Sequence, residues 1–183
     1  LSCSSAASDV YKRQDLRGPT QKRFAELAGE LRITLLVGSI AEVAETESNR
    51  CHNTSLLFDT DGSLISSYRK IHLFDVDVAD GVRFKESDTI APGDTPVVAQ
   101  TACGQIGMSI CYDLRFPELY RTLVDKGAEI LAIPSAFTKK TGEAHWHTLI
   151  KARAIENQTW VLAPGQFGHH DDAGLRHSYG HSM

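Results

Sequence analysis

The segment IGMSICYDLRFPEL, Ile106–Leu119, changes its periodicity in the middle. Through Cys111 it alternates small and apolar residues, the pattern of a strand covered on both faces. From Asp113 the stretch reads as a helix, RFPELYRTLVDKG. Pro117 suits its first turn, where the missing N–H has no intrahelical partner, Glu118 faces the positive end of the helix dipole, and Gly127 closes it. Cys111 therefore sits where a buried strand turns into a helix. A sharp turn there exposes one side chain at the strand's C-terminal edge and leaves backbone N–H groups at the helix start. A thiol beside such groups meets two needs of acyl transfer, a nucleophile and an oxyanion hole. A buried structural cysteine is the alternative, and position alone does not separate the two.

Outward from this junction the chain alternates strands and helices. Downstream, EILAIPSA reads as a strand, FTKKTGEA as a loop, His145 to Asn157 as a helix and TWVLAPG as a strand. Upstream, PVVAQTA turns through CGQ to make a hairpin with the central segment. Before it lies one long loop, HLFDVDVADGVRFKESDTIAPGD, and loops of such length in compact domains are usually functional. NTSLLF and SLISSYRK form an earlier hairpin around DTDG, where Gly62 supplies the positive φ of a tight turn. ITLLVGSIAEV is a buried strand, and GPTQKRFAELAGELR carries Phe24, Leu27, Ala28 and Leu31 on one helical stripe. The pattern predicts a layered α/β domain. Residues 1–14 lack any hydrophobic period and are expected to be a non-native or disordered tail, leaving residues 15–183 as a partial domain.

Composition narrows the function. The 183 residues are 42% hydrophobic and 23% charged, with a net charge of −4. That balance argues against nucleic-acid or anionic-membrane partners, which need clustered Lys and Arg. No apolar run approaches the roughly 20 residues of a membrane span. Cys3, Cys51, Cys103 and Cys111 match neither a metal-ligand spacing nor a dense disulfide frame, so a reducing, cytoplasmic setting is expected. His169, His170, His177 and His181 show no paired ligand spacing and are expected to be incidental, with no metal. The sequons at Asn53 and Asn157 lie beside predicted elements and are expected to be inert. No GxSxG, P-loop or GxGxxG motif occurs, which removes serine hydrolases of that type, P-loop enzymes and Rossmann dehydrogenases.

Six blocks in order, RKIHLFDV, FKES, CYDLRFPEL, PSAF, AHWHTLIKARAIENQ and YGHSM, resemble the nitrilase or carbon-nitrogen hydrolase superfamily from about Gly18 to Met183. The resemblance implies a four-layer αββα sandwich, incomplete at both termini, and a cofactor-free amidase with a Glu-Lys-Cys triad. Carried over by motif, the lysine is Lys70, the nucleophile Cys111, and the additional active-site glutamate Glu86. A nearby ammonium favours the thiolate, and Lys70 with the Tyr112 backbone N–H would hold the oxyanion. The family's general-base glutamate lies in a Pro-Glu step ahead of the helix matching GPTQKRF. Glu26 falls inside that helix, and neither Asp9 nor Asp15 carries the motif. The base is therefore expected upstream of this sequence, and the 183-residue chain is expected to be inactive.

Phe137 and Thr138, after PSA at a strand end, are candidate substrate contacts. Arg115 and Glu118 are read as mainly structural, and Lys139 and Lys140 as a solvated pair. Within the superfamily, IPSAFTKKTGEAHW, QFGHH and YGHSM are most similar to the branch of deaminated glutathione amidases, with ω-amidases as the alternative. A non-catalytic scaffold member is the rival of another class. The partners expected are a small amide and, for the full-length protein, further copies of itself as a dimer or larger homo-oligomer.

Overall fold

The computed structural model describes residues 15, 16, 18–44, 49–77, 83–170 and 177–183. The expectations for residues 1–14, including Cys3 and Asp9, lie outside them. The Cα positions group into two compact units, the first ending at Thr95 and the second beginning at Pro96.

The first unit opens with helix α1, Pro19–Leu31, which has Pro19 in its first turn and Arg32 as a left-handed C-cap. Its apolar stripe is narrower than the sequence suggests. Phe24, Ala25 and Ala28 pack with Ile40, Leu56 and Phe58, whereas Leu31, in the last turn before the chain leaves the helix, is exposed. Three antiparallel strands follow: β1, Leu35–Val43; β2, Cys51–Phe58; and β3, Leu64–Arg69. β2 is central and almost wholly buried, while β1, an edge strand, is only part-buried rather than the buried strand expected. Gly62 turns the β2–β3 hairpin at φ 86°, and a Cβ there would lie 2.4 Å from the Ala25 carbonyl oxygen, so the turn fits under α1 only as glycine.

The segment expected as one long loop is built instead from short pieces. β4, Asp75–Asp77, pairs with β5, Arg83–Lys85, and a 3-10 turn covers Glu86–Asp88. Main-chain bonds from Cys51 N to Thr89 O (2.9 Å), Ala91 N to Cys51 O (2.8 Å) and Gly93 N to Lys70 O (2.8 Å) tie it to β2 and the end of β3. Three-residue strands are too brief to show a period, which is why the sequence hides them.

The second unit holds the sheet β6-β7-β8-β9: Val98–Thr101, Gly104–Met108, Ile130–Ala132 and Trp160–Leu162. β6 and β7 form the expected hairpin, and β7, β8 and β9 run parallel. Each parallel step is made through a helix, α2 at Pro117–Asp125 and α3 at Lys139–Asn157. α3 starts six residues before the expected His145. Thr138 caps it by accepting from Thr141 N, and Gly142, which reads as a loop residue, lies where a Cβ would be 2.4 Å from the Tyr179 side chain. The glycine marks close packing on the hairpin of β10, Phe167–His169, and β11, His177–Tyr179. No helix among the described residues is long and apolar enough to cross a membrane. Mixed helices and sheets of this order agree with the α/β class expected.

Candidate active site

In the first unit, Lys70 follows the last residue of β3, and its main-chain N–H bonds Asn53 O on β2 at 2.8 Å. Its ammonium lies 2.6 Å from Glu86 Oε2, with the two side chains 3% and 10% exposed. The same oxygen accepts the Phe74 N–H at 2.6 Å, and Glu86 Oε1 accepts from Asn53 Nδ2 at 3.2 Å. Asn53 Oδ1 in turn accepts the Ser39 hydroxyl. Lys70 and Glu86, 16 residues apart in sequence, are thus brought together, with the carboxylate held by three donors from three segments.

A second buried carboxylate braces this sheet. Glu42 on β1 receives the Thr54 hydroxyl at 2.6 Å and two nitrogens of the Arg69 guanidinium, Nε at 2.9 Å. Burial alone would raise the Glu42 carboxyl, but the hydrogen bonds from Arg69 and Thr54 and the Arg69 charge outweigh it and hold the group below its ordinary value. Glu26 is exposed on α1 beside Arg23, at 3.4 Å.

In the second unit, Cys111 is the first residue of a 3-10 turn, Cys111–Arg115, placed just beyond the end of β7. Its φ is 50°, in the left-handed region that residues other than glycine seldom occupy. Its N–H bonds Pro134 O at 3.0 Å, and its side chain is partly accessible. The sharp turn expected at this cysteine is present, as a 3-10 turn leading into α2.

Residues not singled out by the sequence hold the turn. Asp113 is fully buried and its Oδ2 accepts the Ile110 N–H at 2.8 Å. Arg153, reaching from α3, donates to the Leu114 carbonyl through Nε (3.1 Å) and a second nitrogen (2.9 Å), and pairs with Glu156 at 2.7 Å. Tyr120 shares a 2.9 Å hydrogen bond with Ser109. Burial, reinforced by the Asp113 charge, pushes its phenol far above the ordinary value, so it stays neutral. Their signals were present in CYD and ARAIENQ, yet nothing in a one-dimensional pattern says which polar residue turns inward.

Arg115 lies over two rings, 5.7 Å from the Tyr112 centroid and 5.6 Å from that of Phe137, and reaches His145 Nδ1 at 3.2 Å. Phe137, against Trp146 at 4.9 Å, therefore shares surroundings with the residue that follows Cys111. The Thr138 hydroxyl is engaged in capping α3, 2.8 Å from Thr141 Oγ1. Glu118 is exposed in the first turn of α2, and Lys139 is exposed beside Glu143. Cys51 is buried and Cys103 exposed, with Cys111 between them in accessibility.

A family model described as carbon-nitrogen hydrolase matches residues 4–183. A deaminated glutathione amidase of Yersinia enterocolitica is 44% identical over 184 residues, covering 100% of this chain and 64% of that protein. An omega-amidase of Saccharomyces cerevisiae is 41% identical over 160 residues, covering 87% of this chain and 54% of that protein. The crystal structure of the Caenorhabditis elegans NitFhit protein superimposes with a TM-score of 0.83 at 42% identity, covering 90% of this chain and 40% of that one. The chain thus spans roughly three fifths of the length of curated relatives it matches.

Proposed function

Because the chain belongs to the carbon-nitrogen hydrolase family, we propose that it carries the nucleophile half of a cysteine amidase acting on a small linear carboxamide. The observation that carries this reading is the backbone of Cys111. A thiol at φ 50° on the first residue of the turn beyond β7 is held in a conformation that costs energy, and such residues collect at functional sites.

In the proposed chemistry the Lys70 ammonium favours the Cys111 thiolate, which attacks the amide carbon. Lys70 and the Tyr112 N–H hold the oxyanion of the tetrahedral intermediate. The C–N bond breaks as ammonia takes a proton, leaving an acyl thioester. Water then adds, the C–S bond breaks, and carboxylate and thiol are released. Glu86 keeps Lys70 aimed through the 2.6 Å pair. The general base that moves these protons is the family's Pro-Glu glutamate, expected ahead of α1. No cofactor takes part.

Deaminated glutathione is the substrate proposed, on the naming of the Yersinia relative. An ω-amidase is the second reading, favoured by the 41% identity to the yeast protein. Turnover of deaminated glutathione and of α-ketoglutaramate by the full-length protein decides between them, and a strong preference for the latter overturns the first. Alkylation tests the chemistry itself: a Cys111 thiol no more reactive than free cysteine removes the amidase reading and leaves the scaffold. Phe137 and Thr138 are proposed at the substrate's edge. The full-length protein is proposed as a cytoplasmic homodimer or larger homo-oligomer, to be checked by its mass in solution.

A further inference from the structure

We propose that Asn53, with Ser39 behind it, is a positioning residue for Lys70: its amide orients the Glu86 carboxylate toward the ammonium. Asn53 lies on β2 and is 4% exposed. A primary amide so deep in a sheet is tolerated only if its polar atoms find partners. Those partners form a closed circuit. The main-chain carbonyl of Asn53 accepts the Lys70 main-chain N–H at 2.8 Å, Lys70 Nζ reaches Glu86 Oε2 at 2.6 Å, and Glu86 Oε1 accepts from the Asn53 side-chain Nδ2 at 3.2 Å.

The direction of each bond follows from chemistry. An ionised carboxylate only accepts, so the amide must present its nitrogen to Glu86, and Oδ1 is left to receive the Ser39 hydroxyl. Ser39 stands in β1 where the register against β2 slips between Val37 and Ile40. Occupying Oε1 in this way leaves Oε2 for Lys70 and the Phe74 N–H. Without the amide, Oε1 loses its donor and the carboxylate is held only on its Oε2 side, by Lys70 and the Phe74 N–H, so the buried ammonium faces a less firmly aligned partner. Burial then disfavours the charged amine, so the Lys70 titration midpoint falls.

Leucine repeats the branched heavy-atom outline of asparagine with bulkier ends and neither donor nor acceptor, so Asn53→Leu fills the space while removing the amide's hydrogen bonds to Glu86 and Ser39. The bearing on catalysis rests on the amidase reading, but the readout does not. Lys70 is titrated by NMR in the full-length protein carrying lysine labelled at Cε, with melting curves to confirm folding. The midpoint is expected to fall by about one unit in Asn53→Leu, a tenfold loss of proton affinity, and by less in Ser39→Ala. Unchanged or raised midpoints in folded variants overturn the proposal. If Asn53→Leu does not fold, Ser39→Ala decides alone, by the same sign. A lowered midpoint supports the positioning role even where the full-length protein hydrolyses no amide, a result that would remove only the amidase reading.

Discussion

The Lys70 ammonium and the Glu86 carboxylate form an ion pair of 2.6 Å in which neither side chain is more than 10% exposed. Two charges withdrawn from water to this extent depend on each other. Glu86→Gln keeps the shape and removes the charge, leaving a buried cation beside a neutral amide. Removing one partner of a buried pair costs about 3–5 kcal/mol. Urea denaturation should show a loss of that order, and on the proposed amidase reading turnover by the full-length protein should fall at least tenfold. An unchanged midpoint would show that the pair adds no net stability to the fold.

Cys111 carries a backbone cost at φ 50°. Glycine meets no Cβ penalty at φ 50°, so Cys111→Gly should be about 1 kcal/mol more stable than Cys111→Ala, and on the proposed amidase reading neither variant of the full-length protein should turn over an amide. Thermal melts of the two variants measure the difference. Alanine equal to or above glycine would show that the turn is not strained.

Arg153 joins α3 to the Cys111–Arg115 turn through two hydrogen bonds to one carbonyl. Arg153→Met retains much of the packing and leaves the Leu114 carbonyl buried without them. A loss of about 2–3 kcal/mol is expected for an unsatisfied buried acceptor to which a charged group had bonded. Thiol alkylation should also change its rate at Cys111, because the turn is no longer held. A rate equal to wild type would confine Arg153 to stability.

Acid should weaken the first unit through Glu42. Its folded-state pKa is depressed, since hydrogen bonds from Arg69 and Thr54 overcome the effect of burial. Such a group adds stability that is fully present above its unfolded value, near 4.5, and that fades as pH falls from there through the folded value. Arg69→Gln removes the main stabilising partner, so stability curves of the variant should be flatter below pH 4.5 than those of wild type. Parallel curves would place the acid sensitivity elsewhere.

Much of the site is legible in the chain. The strand-to-turn change at Cys111 follows from small alternating residues meeting a Pro-containing helical start, and β2–β3 follows from apolar runs flanking DTDG. Lys70 and Glu86 come from motif resemblance rather than from periodicity, since a lone lysine at a strand end ordinarily points to water. The start of α3 is hidden in the sequence, because Gly142 has the look of a loop residue and only its packing on Tyr179 places it in the helix.

Local order thus determined the elements: which stretches alternate, which repeat every three to four residues, and where glycine or proline must break them. Those choices depend on neighbours within one or two turns, and the sequence displays them directly. Tertiary structure alone decided the hydrogen-bond partners. Ser39 meets Asn53 across 14 residues, Asn53 meets Glu86 across 33, and Arg153 meets Leu114 across 39. The physical reason is that a buried polar atom must be paired, while the partner that satisfies it is chosen by which strands and turns the packed core brings within 3 Å or so. No spacing rule along the chain encodes that choice.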